Sequence, residues 1–330
     1  MDLSTVYLGM KLPHPIMAGA SPLSDELDSI KQLEDAGSAA IVLRSLFEEQ
    51  IDCEQVDEML YQDSTTNAFA EATTYFPEDM SGSGPEQYLN HLRRVKEAVG
   101  VPVIASLNGT RPGGWLAYGR MMEQEGADAV ELNVYQTGID SRKSGAEIEQ
   151  ETLAIVQELK QNLKIPLAVK LSPFYTSFAY FGSQLDRHGA DGLILFNRFY
   201  EADIDVQELQ LTRNLHLSNS SELLLRLRGI AALAPVVRGS LAVTGGVHTA
   251  IDIVKSIMAG ADVTQMVSAL LKNGAGHLRT VRQDLEDWME ENEWSSLAEM
   301  QGNMGVDKAP NPKAYERANY MTILQSWDRA

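Results

Sequence analysis

Two neighbouring stretches decide the fold of this chain: Ser240-Leu-Ala-Val-Thr-Gly-Gly-Val-His-Thr249 and Gly260-Ala-Asp-Val-Thr-Gln-Met-Val-Ser-Ala-Leu-Leu271. Each predicts a short buried strand that ends in small residues, and an apolar-periodic helix follows the first. Tandem strand ends of this kind, late in a chain of this length, are typical of the phosphate site of a (β/α)8 barrel, where backbone N–H groups converge on one anion. A turn that only reverses the chain is the alternative for Gly245-Gly246 alone, but the second stretch favours the phosphate site.

The joint between a helix and the next strand repeats along the chain. A glycine ends the helix, small residues follow, and an apolar strand begins. Such joints start at Gly37, Gly126, Gly189 and Gly260. Helical patterns with a period near 3.6 residues lie between the strands. Short apolar strands that alternate with amphipathic helices predict a parallel sheet that is covered on both faces.

Eight strands of this kind can be counted in the sequence. They span residues 15–20, 39–45, 102–108, 129–134, 166–172, 192–197, 240–245 and 262–268. We therefore predict an α/β fold, a (β/α)8 TIM barrel that forms one domain over residues 1–330 and begins with a short N-terminal hairpin. A doubly wound open sheet is the alternative, but such a sheet usually has its glycine-rich turn after the first strand, whereas here the turn follows the seventh.

Three segments lie outside this repeat. Strand-to-helix insertions at about 46–84 and about 199–220 are expected to lie over the barrel mouth, either as lids or as surface excursions that make an oligomer contact. The tail, residues 294–330, is expected to be a short extension that caps the barrel.

The composition limits the partners and the cellular setting. The 330 residues are 44% hydrophobic and carry a formal net charge of −19, which disfavours nucleic acid and anionic lipid as partners. Cys53 is the only cysteine, so we expect no intrachain disulfide, no cysteine-ligated cluster and a reducing, cytoplasmic location. We expect neither a signal peptide nor a membrane span. The six histidines are scattered without metal-ligand spacing, so we expect no metal site and most histidines on the surface.

A lysine inside an apolar strand is the sharpest catalytic candidate. In the alternation Leu-Ala-Val-Lys-Leu, residues 167–171, Lys170 is expected to point into the barrel. Burying an ammonium costs free energy unless an anion or dipole compensates it. Lys170 therefore either reaches solvent, or it forms a Schiff base, binds a phosphate or stabilises negative charge on a cofactor ring. Asn133 and Asn197 end two other strands, and their amides suit the edge of a flat heterocycle.

These strand ends resemble the dihydroorotate dehydrogenase family, particularly its soluble class 1 branch. The likeness runs over nearly the whole chain, through His14-Pro-Ile-Met-Ala-Gly-Ala-Ser21, Glu131-Leu-Asn133, Val169-Lys-Leu171, Asn197, Thr244-Gly-Gly246 and Gln265-Met-Val-Ser-Ala-Leu-Leu271. The resemblance implies an FMN-bearing (β/α)8 barrel that oxidises dihydroorotate to orotate in pyrimidine biosynthesis, with hydride transfer to flavin N5.

The resemblance also assigns roles by position. Lys170 would reach the N1–C2 edge of the flavin and stabilise the anionic reduced ring, and Asn133 would lie between flavin and substrate. Asn197 and Arg198 would face the substrate. The other contacts to the flavin ring would come from Gly19, Ala20 and Arg44. The contacts to the ribityl chain and the phosphate would come from Phe196, Thr244, Gly245, Gly246, Val267 and Ser268.

The substrate half of the site departs from the family pattern. The family's strand-four loop reads Asn-Leu-Ser-Cys-Pro-Asn, and its cysteine removes a proton from the substrate, whereas this chain reads Asn133-Val-Tyr-Gln-Thr-Gly138. Gln136 stands at the base position, and a carboxamide is not a base. The neighbouring Tyr135 is a candidate for proton transfer, but it would need a strongly lowered pKa. Arg44 replaces a family lysine, and the family's substrate loop is rewritten near residues 70–75.

We therefore expect an FMN-dependent dehydrogenase that acts on CH–CH bonds and is cytoplasmic and homodimeric. Its turnover of dihydroorotate, the small-molecule substrate of the family, is expected to be slow or absent. Any NAD-linked route would need an iron–sulfur partner, because the chain has no cluster of its own. Three alternatives stay open: a flavin enzyme for another cyclic amide or an enoate, a non-catalytic flavin-binding subunit of a larger redox assembly, and a Schiff-base aldolase that uses Lys170.

Overall fold

A closed barrel of parallel strands forms the centre of the molecule. The computed structural model describes residues 1–52, 84–134, 136, 138–198, 203–212, 215–315, 317 and 319–326. The strands are β1 (Thr5–Tyr7), β2 (Met10–Leu12), β3 (Ile16–Ala18), β4 (Ile41–Phe47), β5 (Val103–Asn108), β6 (Ala129–Asn133), β7 (Leu167–Leu171), β8 (Gly192–Leu195), β9 (Asp203–Asp205), β10 (Gln210–Thr212), β11 (Ser240–Thr244) and β12 (Val263–Met266). Around the barrel their order is β11-β12-β3-β4-β5-β6-β7-β8, and β8 pairs with β11. The predicted eight-stranded barrel is confirmed, and the open-sheet alternative is wrong.

Helices cover the outside of the barrel. They are α1 (Leu27–Asp35), α2 (Pro85–Ala98), α3 (Ala117–Gln124), α4 (Gly145–Asn162), α5 (Phe178–Arg187), α6 (Leu223–Leu233), α7 (Ala250–Ala259), α8 (Ser268–Asn273), α9 (His277–Glu291), α10 (Leu297–Met300) and α11 (Asn319–Gln325). Outward side chains of the strands and inward faces of the helices share one large apolar cluster. Helix α7 begins with a capping box of Thr249 and Asp252, which satisfies N–H groups of its first turn and fixes the loop that enters it.

The N-terminal hairpin β1–β2 plugs one end of the barrel. Alternate residues of each strand point inward, and several of these are small: Ala129, Ala168 and Ala242. The space that they leave is filled by the hairpin, whose Tyr7 is fully buried in the same cluster. Leu8 donates its N–H to Ser240 at the start of β11, which fixes the hairpin at the N-terminal end of the strands. Interior space for chemistry is therefore left at the carboxyl ends.

The structure describes parts of the second insertion and of the tail. Residues 53–83, which carry most of the first predicted lid, lie outside the described part of the chain. Residues 203–212 of the second insertion form the antiparallel hairpin β9–β10, in which Leu211 stands opposite Ile204. In the tail, Gln301 donates to Asp262 at 2.7 Å, beside the start of β12. That the chain forms one domain stays a prediction. Among the described residues, no helix is both long and apolar enough to span a bilayer.

Candidate functional site

A layer of polar side chains follows the apolar plug, towards the carboxyl ends of the strands. Lys170 on β7 is buried, and its Nζ donates to Oε1 of Glu131 on β6 at 3.0 Å. The other oxygen, Oε2, accepts a hydrogen bond from Nε2 of Gln265 on β12 at 2.8 Å. Glu131 is fully buried. One carboxylate thus joins three strands across the interior and compensates the lysine charge, so Lys170 does not reach solvent.

Asn133 lies on the same face of β6, two residues beyond Glu131. Its Nδ2 donates to the hydroxyls of Ser45 at 2.8 Å and Ser106 at 3.1 Å, and these hydroxyls are 2.7 Å apart. Both donors of the amide are therefore engaged. Its acceptor, Oδ1, is buried and has no hydrogen-bond partner among the described residues. Because a buried acceptor without a donor costs free energy, this oxygen marks a place where a ligand donor would be favoured.

A β-bulge in β4 decides where Arg44 lies. The register between β4 and β5 shifts between Val42 and Ser45. Ser45 consequently pairs with Ser106, and Arg44 is half-exposed, with its Nε 3.0 Å from Oδ1 of Asp25. The predicted contact between Arg44 and a flavin ring stays a prediction.

The end of β3 offers bare backbone. A Cβ at Gly19 would lie 2.7 Å from Cγ2 of Val267 and 3.1 Å from Cβ of Gln265, so the close approach of these chain segments requires glycine. Oε1 of Gln265 lies 3.5 Å from the same point. This oxygen is the second buried acceptor of the site without a partner in the described part of the chain. The predicted ring contacts Gly19 and Ala20 thus stand next to a free acceptor.

The Gly-Gly turn after β11 requires both glycines. Gly245 and Gly246 have φ angles of +82° and +83°. A Cβ would meet Nη2 of Arg226 at 2.8 Å in the first case and the backbone nitrogen of Leu223 at 2.6 Å in the second. The Arg226 guanidinium donates to the Thr244 carbonyl at 3.2 Å, and burial lowers its pKa. A cation on α6 therefore lies directly against the predicted phosphate turn.

Three loops meet at this turn. The Gly246 N–H donates to Oγ of Ser218 at 3.3 Å, and the Ser218 N–H donates to Oγ of Ser268 at 3.0 Å. Nε2 of His248 lies 3.3 Å from the Ser218 hydroxyl. The two strand ends singled out by the sequence are thus brought together, with Val267 preceding Ser268. Ser218 was not predicted, because its polar Ser-Asn-Ser-Ser surroundings carry no glycine signal.

The residues after β8 point in different directions. The Phe196 ring makes an edge contact with Phe178 on α5, with ring centroids 5.1 Å apart, and both belong to the apolar cluster beneath the helices. The ring therefore lies on the helix side of the barrel, and the expected ribityl contact would have to come from the main chain of Phe196. Asn197 is half-buried. Nη2 of Arg198 lies 3.7 Å from Oε1 of Glu222. The substrate roles of Asn197 and Arg198 stay predictions.

The side-chain amide of Gln136, the residue at the predicted base position, is hydrogen-bonded. Nε2 of Gln136 donates to the Thr110 carbonyl at 3.1 Å. Glu48, after β4, accepts from the N–H and the hydroxyl of Thr110 at 3.0 and 2.9 Å. Gln136 and Glu48 thus clamp the loop after β5 between them. Tyr135, the other proton-transfer candidate, lies outside the described residues.

A cavity of about 350 Å³ opens beside Gln136. Its walls carry both charges, with Arg111 and Lys143 on one hand and Asp140 and Glu151 on the other. Lys143 and Glu151 form an ion pair at 2.6 Å. The loops after β5 and β6 and the start of α4 therefore line an open polar space.

The histidines lie deeper than expected. The prediction that most of them are on the surface is wrong, because His216 is exposed while His14 is buried and the other four are partly buried. Burial lowers the pKa of His14 to about 4, and the positive charge of Arg282 acts in the same direction. Within the described ranges, no group of three or more His, Cys, Asp or Glu side chains is arranged to hold a metal ion.

The sequence is similar to those of known proteins. A family model described as dihydroorotate dehydrogenase matches residues 80–289. The chain belongs to the dihydroorotate dehydrogenase family. It is 27% identical, over 91% of its length and 98% of the relative, to the dihydroorotate dehydrogenase B (NAD(+)) catalytic subunit of Thermoplasma volcanium. It is 22% identical to the NAD-dependent dihydropyrimidine dehydrogenase subunit PreA of Escherichia coli, over 91% of this chain and 76% of that one. A putative dihydroorotate dehydrogenase A (fumarate) of Aeropyrum pernix is 25% identical over 91% of this chain and 97% of its own.

Membership in this family makes the chain one of a group of oxidoreductases. The site also contains residues that sequence reasoning passed over. Glu131 and Gln265 stand inside the motifs that carried the resemblance, but only their neighbours were assigned roles. The signal that singled out Lys170, a polar side chain in a buried strand, applies equally to both.

Proposed function

We propose that the chain is an FMN-dependent oxidoreductase that takes a hydride from a CH–CH bond of a ring substrate, as dihydroorotate dehydrogenases do. The observation that carries this proposal is the polar layer at the barrel mouth. There, Lys170 stands near two buried acceptors, Oδ1 of Asn133 and Oε1 of Gln265, that have no partner among the described residues. A bound heterocycle with N–H groups would offset the cost of leaving them unpaired.

The residues at the mouth fit this cofactor. Gly19 lets the end of β3 pack closely against Val267 and Gln265, next to Oε1 of Gln265, and this position supports a ring contact there. Gly245, Gly246 and Ser268 form the turn that is proposed to hold a phosphate, and Ser218 links the Gly246 N–H to the Ser268 hydroxyl. The Arg226 guanidinium adds positive charge beside this turn. Bound FMN would supply the hydride acceptor, which no amino-acid side chain provides.

The side chains of the site would orient the ring and stabilise negative charge on it. The ammonium of Lys170, held by Glu131, favours negative charge on the adjacent edge of the ring. Ser45 and Ser106 fix the Asn133 amide with its oxygen free. A Schiff-base role for Lys170 is disfavoured, because its Nζ is held in an ion pair with a buried carboxylate 3.0 Å away.

Proton removal from dihydroorotate is the weak step of this proposal. Gln136 donates its amide to Thr110 and has no basic group. General base catalysis typically contributes about 10²- to 10⁴-fold. We therefore expect FMN to bind well and dihydroorotate to be oxidised slowly or not at all.

A second candidate function keeps the flavin and changes the substrate to another cyclic amide or an enoate. The polar cavity beside Gln136, with its charges of both signs, favours this candidate. Relatives named dihydropyrimidine dehydrogenase, in Arabidopsis thaliana and Escherichia coli, are similar to the chain over 91–92% of its length. Their names point to uncharged dihydropyrimidine rings as the next substrates to test.

We also propose a cytoplasmic homodimer. The hairpin β9–β10 supports this arrangement, since several of its large apolar side chains are more than half exposed: Ile204, Val206, Leu209 and Leu211. Relatives whose names read "catalytic subunit" and "subunit PreA" support an additional electron-transfer partner. An iron–sulfur protein would be the suitable class for an NAD-linked route.

An anaerobic titration of the FMN-loaded protein tests the substrate. The flavin absorbance is followed while dihydroorotate, 5,6-dihydrouracil or dithionite is added. We expect complete bleaching by dithionite and little bleaching by dihydroorotate over minutes. Rapid bleaching by dihydroorotate that is lost in Tyr135→Phe would place the missing base in the rewritten loop. Failure of the protein to take up FMN at all would contradict the proposed function.

A further inference from the structure

Glu131 is a buried charge of the site to which the proposed cofactor contacts give no direct role. It is fully buried, and an interior cluster of apolar residues that includes Tyr7 and Ala129 lies behind it. Burying a carboxylate in such a place is unfavourable unless a cation compensates its charge. Lys170, at 3.0 Å, is the cation that it contacts.

We propose that Glu131 is a positioning residue that acts through Lys170 and thereby sets the reduction potential of bound FMN. The proposal rests on the proposed function, since it requires FMN at the barrel mouth. Glu131 holds one N–H of the lysine ammonium, which directs the other two towards the mouth, and its negative charge offsets part of the positive charge that the ring experiences.

The geometry supports an action through the lysine. Lys170 has a flexible four-carbon stem, so its Nζ needs an anchor to keep one position. Glu131 supplies that anchor from the neighbouring strand, where Asn133, two residues further on, pairs in register with Lys170. Gln265 holds the second carboxylate oxygen from the opposite side of the barrel and so prevents the carboxylate from turning away.

Glu131→Gln is the variant that tests the charge while keeping the shape. The new amide can accept from Lys170, and Gln265 can turn its own amide so that its unpartnered Oε1 accepts from the new Nε2. The ammonium is then uncompensated and favours the reduced ring more strongly. We expect the FMN midpoint potential to become more positive. The ratio of the affinities for reduced and oxidised FMN should change at least tenfold in favour of reduced FMN. This change corresponds to about 30 mV for a two-electron couple.

Tyr7→Phe is the matched control, because it removes a neutral buried hydroxyl that feels the charge of Glu131 and leaves the Lys170–Glu131 ion pair intact. Its potential is expected to stay at the value of the unmodified protein. An equal shift in Tyr7→Phe and Glu131→Gln would show that disturbed packing moves the potential, and it would overturn the proposal. An unchanged potential in Glu131→Gln would overturn it as well.

A double variant keeps the proposal testable even if Glu131→Gln does not fold. In Lys170→Met, the lysine through which Glu131 is proposed to act is absent. Lys170→Met and Glu131→Gln/Lys170→Met should therefore give the same FMN potential. A more positive potential in the double variant would show that Glu131 acts on the ring directly. If the unmodified protein binds no FMN, the proposed function fails together with this inference, whereas FMN binding with unresponsive potentials removes the inference alone.

Discussion

His14, a buried side chain just before β3, makes the stability of the folded protein depend on pH. Its Nδ1 accepts the N–H of Ile16, and its side chain is buried beside Arg282. Burial lowers its pKa from 6.5 to about 4. The unfolded chain therefore takes up a proton below about pH 6.5, while the folded chain does not until about pH 4. The stability that neutral His14 contributes is fully present above about pH 6.5. It is lost as the pH falls from about 6.5 to about 4.

We predict that His14→Asn makes the protein less sensitive to acid. Asparagine keeps an acceptor for Ile16 and cannot titrate, so the penalty of about 2 kcal/mol expected at about pH 5 disappears. Urea unfolding at about pH 7.5 and about pH 5 measures the difference for both proteins. The variant should lose less stability than the unmodified protein between these two values. An equal loss in both would contradict the assignment of this acid sensitivity to His14.

At the scale of the element, the sequence carries local signals that predict strands well and contacts between strands poorly. The glycine joints and apolar runs predicted all eight barrel strands, because each joint is written in a few adjacent residues. The contact between Glu131 and Gln265 joins residues 134 positions apart, so it depends on closure of the barrel. The β4 bulge depends in the same way on the register with β5, and it moved Arg44 to a half-exposed position.

The Gly-Gly turn allows a direct test at this scale. In Gly246→Ala, the new Cβ would lie 2.6 Å from a backbone nitrogen of α6, and φ is +83°. The turn must shift, so we predict at least about a tenfold loss of FMN affinity in addition to backbone strain of about 1–2 kcal/mol. Gly9→Ala is the matched control, since Gly9 has φ +78° but nothing within 4 Å of its Cβ position. It should lose stability and keep its FMN affinity, both measured by flavin fluorescence titration and thermal unfolding. Equal FMN affinity in the two variants would argue against a phosphate site at Gly246.

At the scale of the whole molecule, the hairpin β9–β10 presents an exposed apolar surface. Its apolar side chains form a patch of the kind that marks protein interfaces. We predict that the unmodified protein sediments as a dimer and that Ile204→Ser/Leu211→Ser, which removes one cross-strand pair, sediments as a monomer with unchanged FMN binding. Val236→Ser, at another exposed apolar residue, serves as the control and should stay dimeric. A monomeric unmodified protein, or a double variant that is still a dimer, would disprove this interface.

The barrel as a whole divides into an N-terminal end closed by the hairpin β1–β2 and a carboxyl end lined with polar groups. We propose that these polar groups bind FMN. Titration of the purified protein with FMN, followed by flavin fluorescence and absorbance, tests this binding. We expect saturation at one FMN per chain, and markedly weaker binding in Lys170→Met. Absence of saturable binding, or binding that is unchanged in both Lys170→Met and Gly246→Ala, would contradict it.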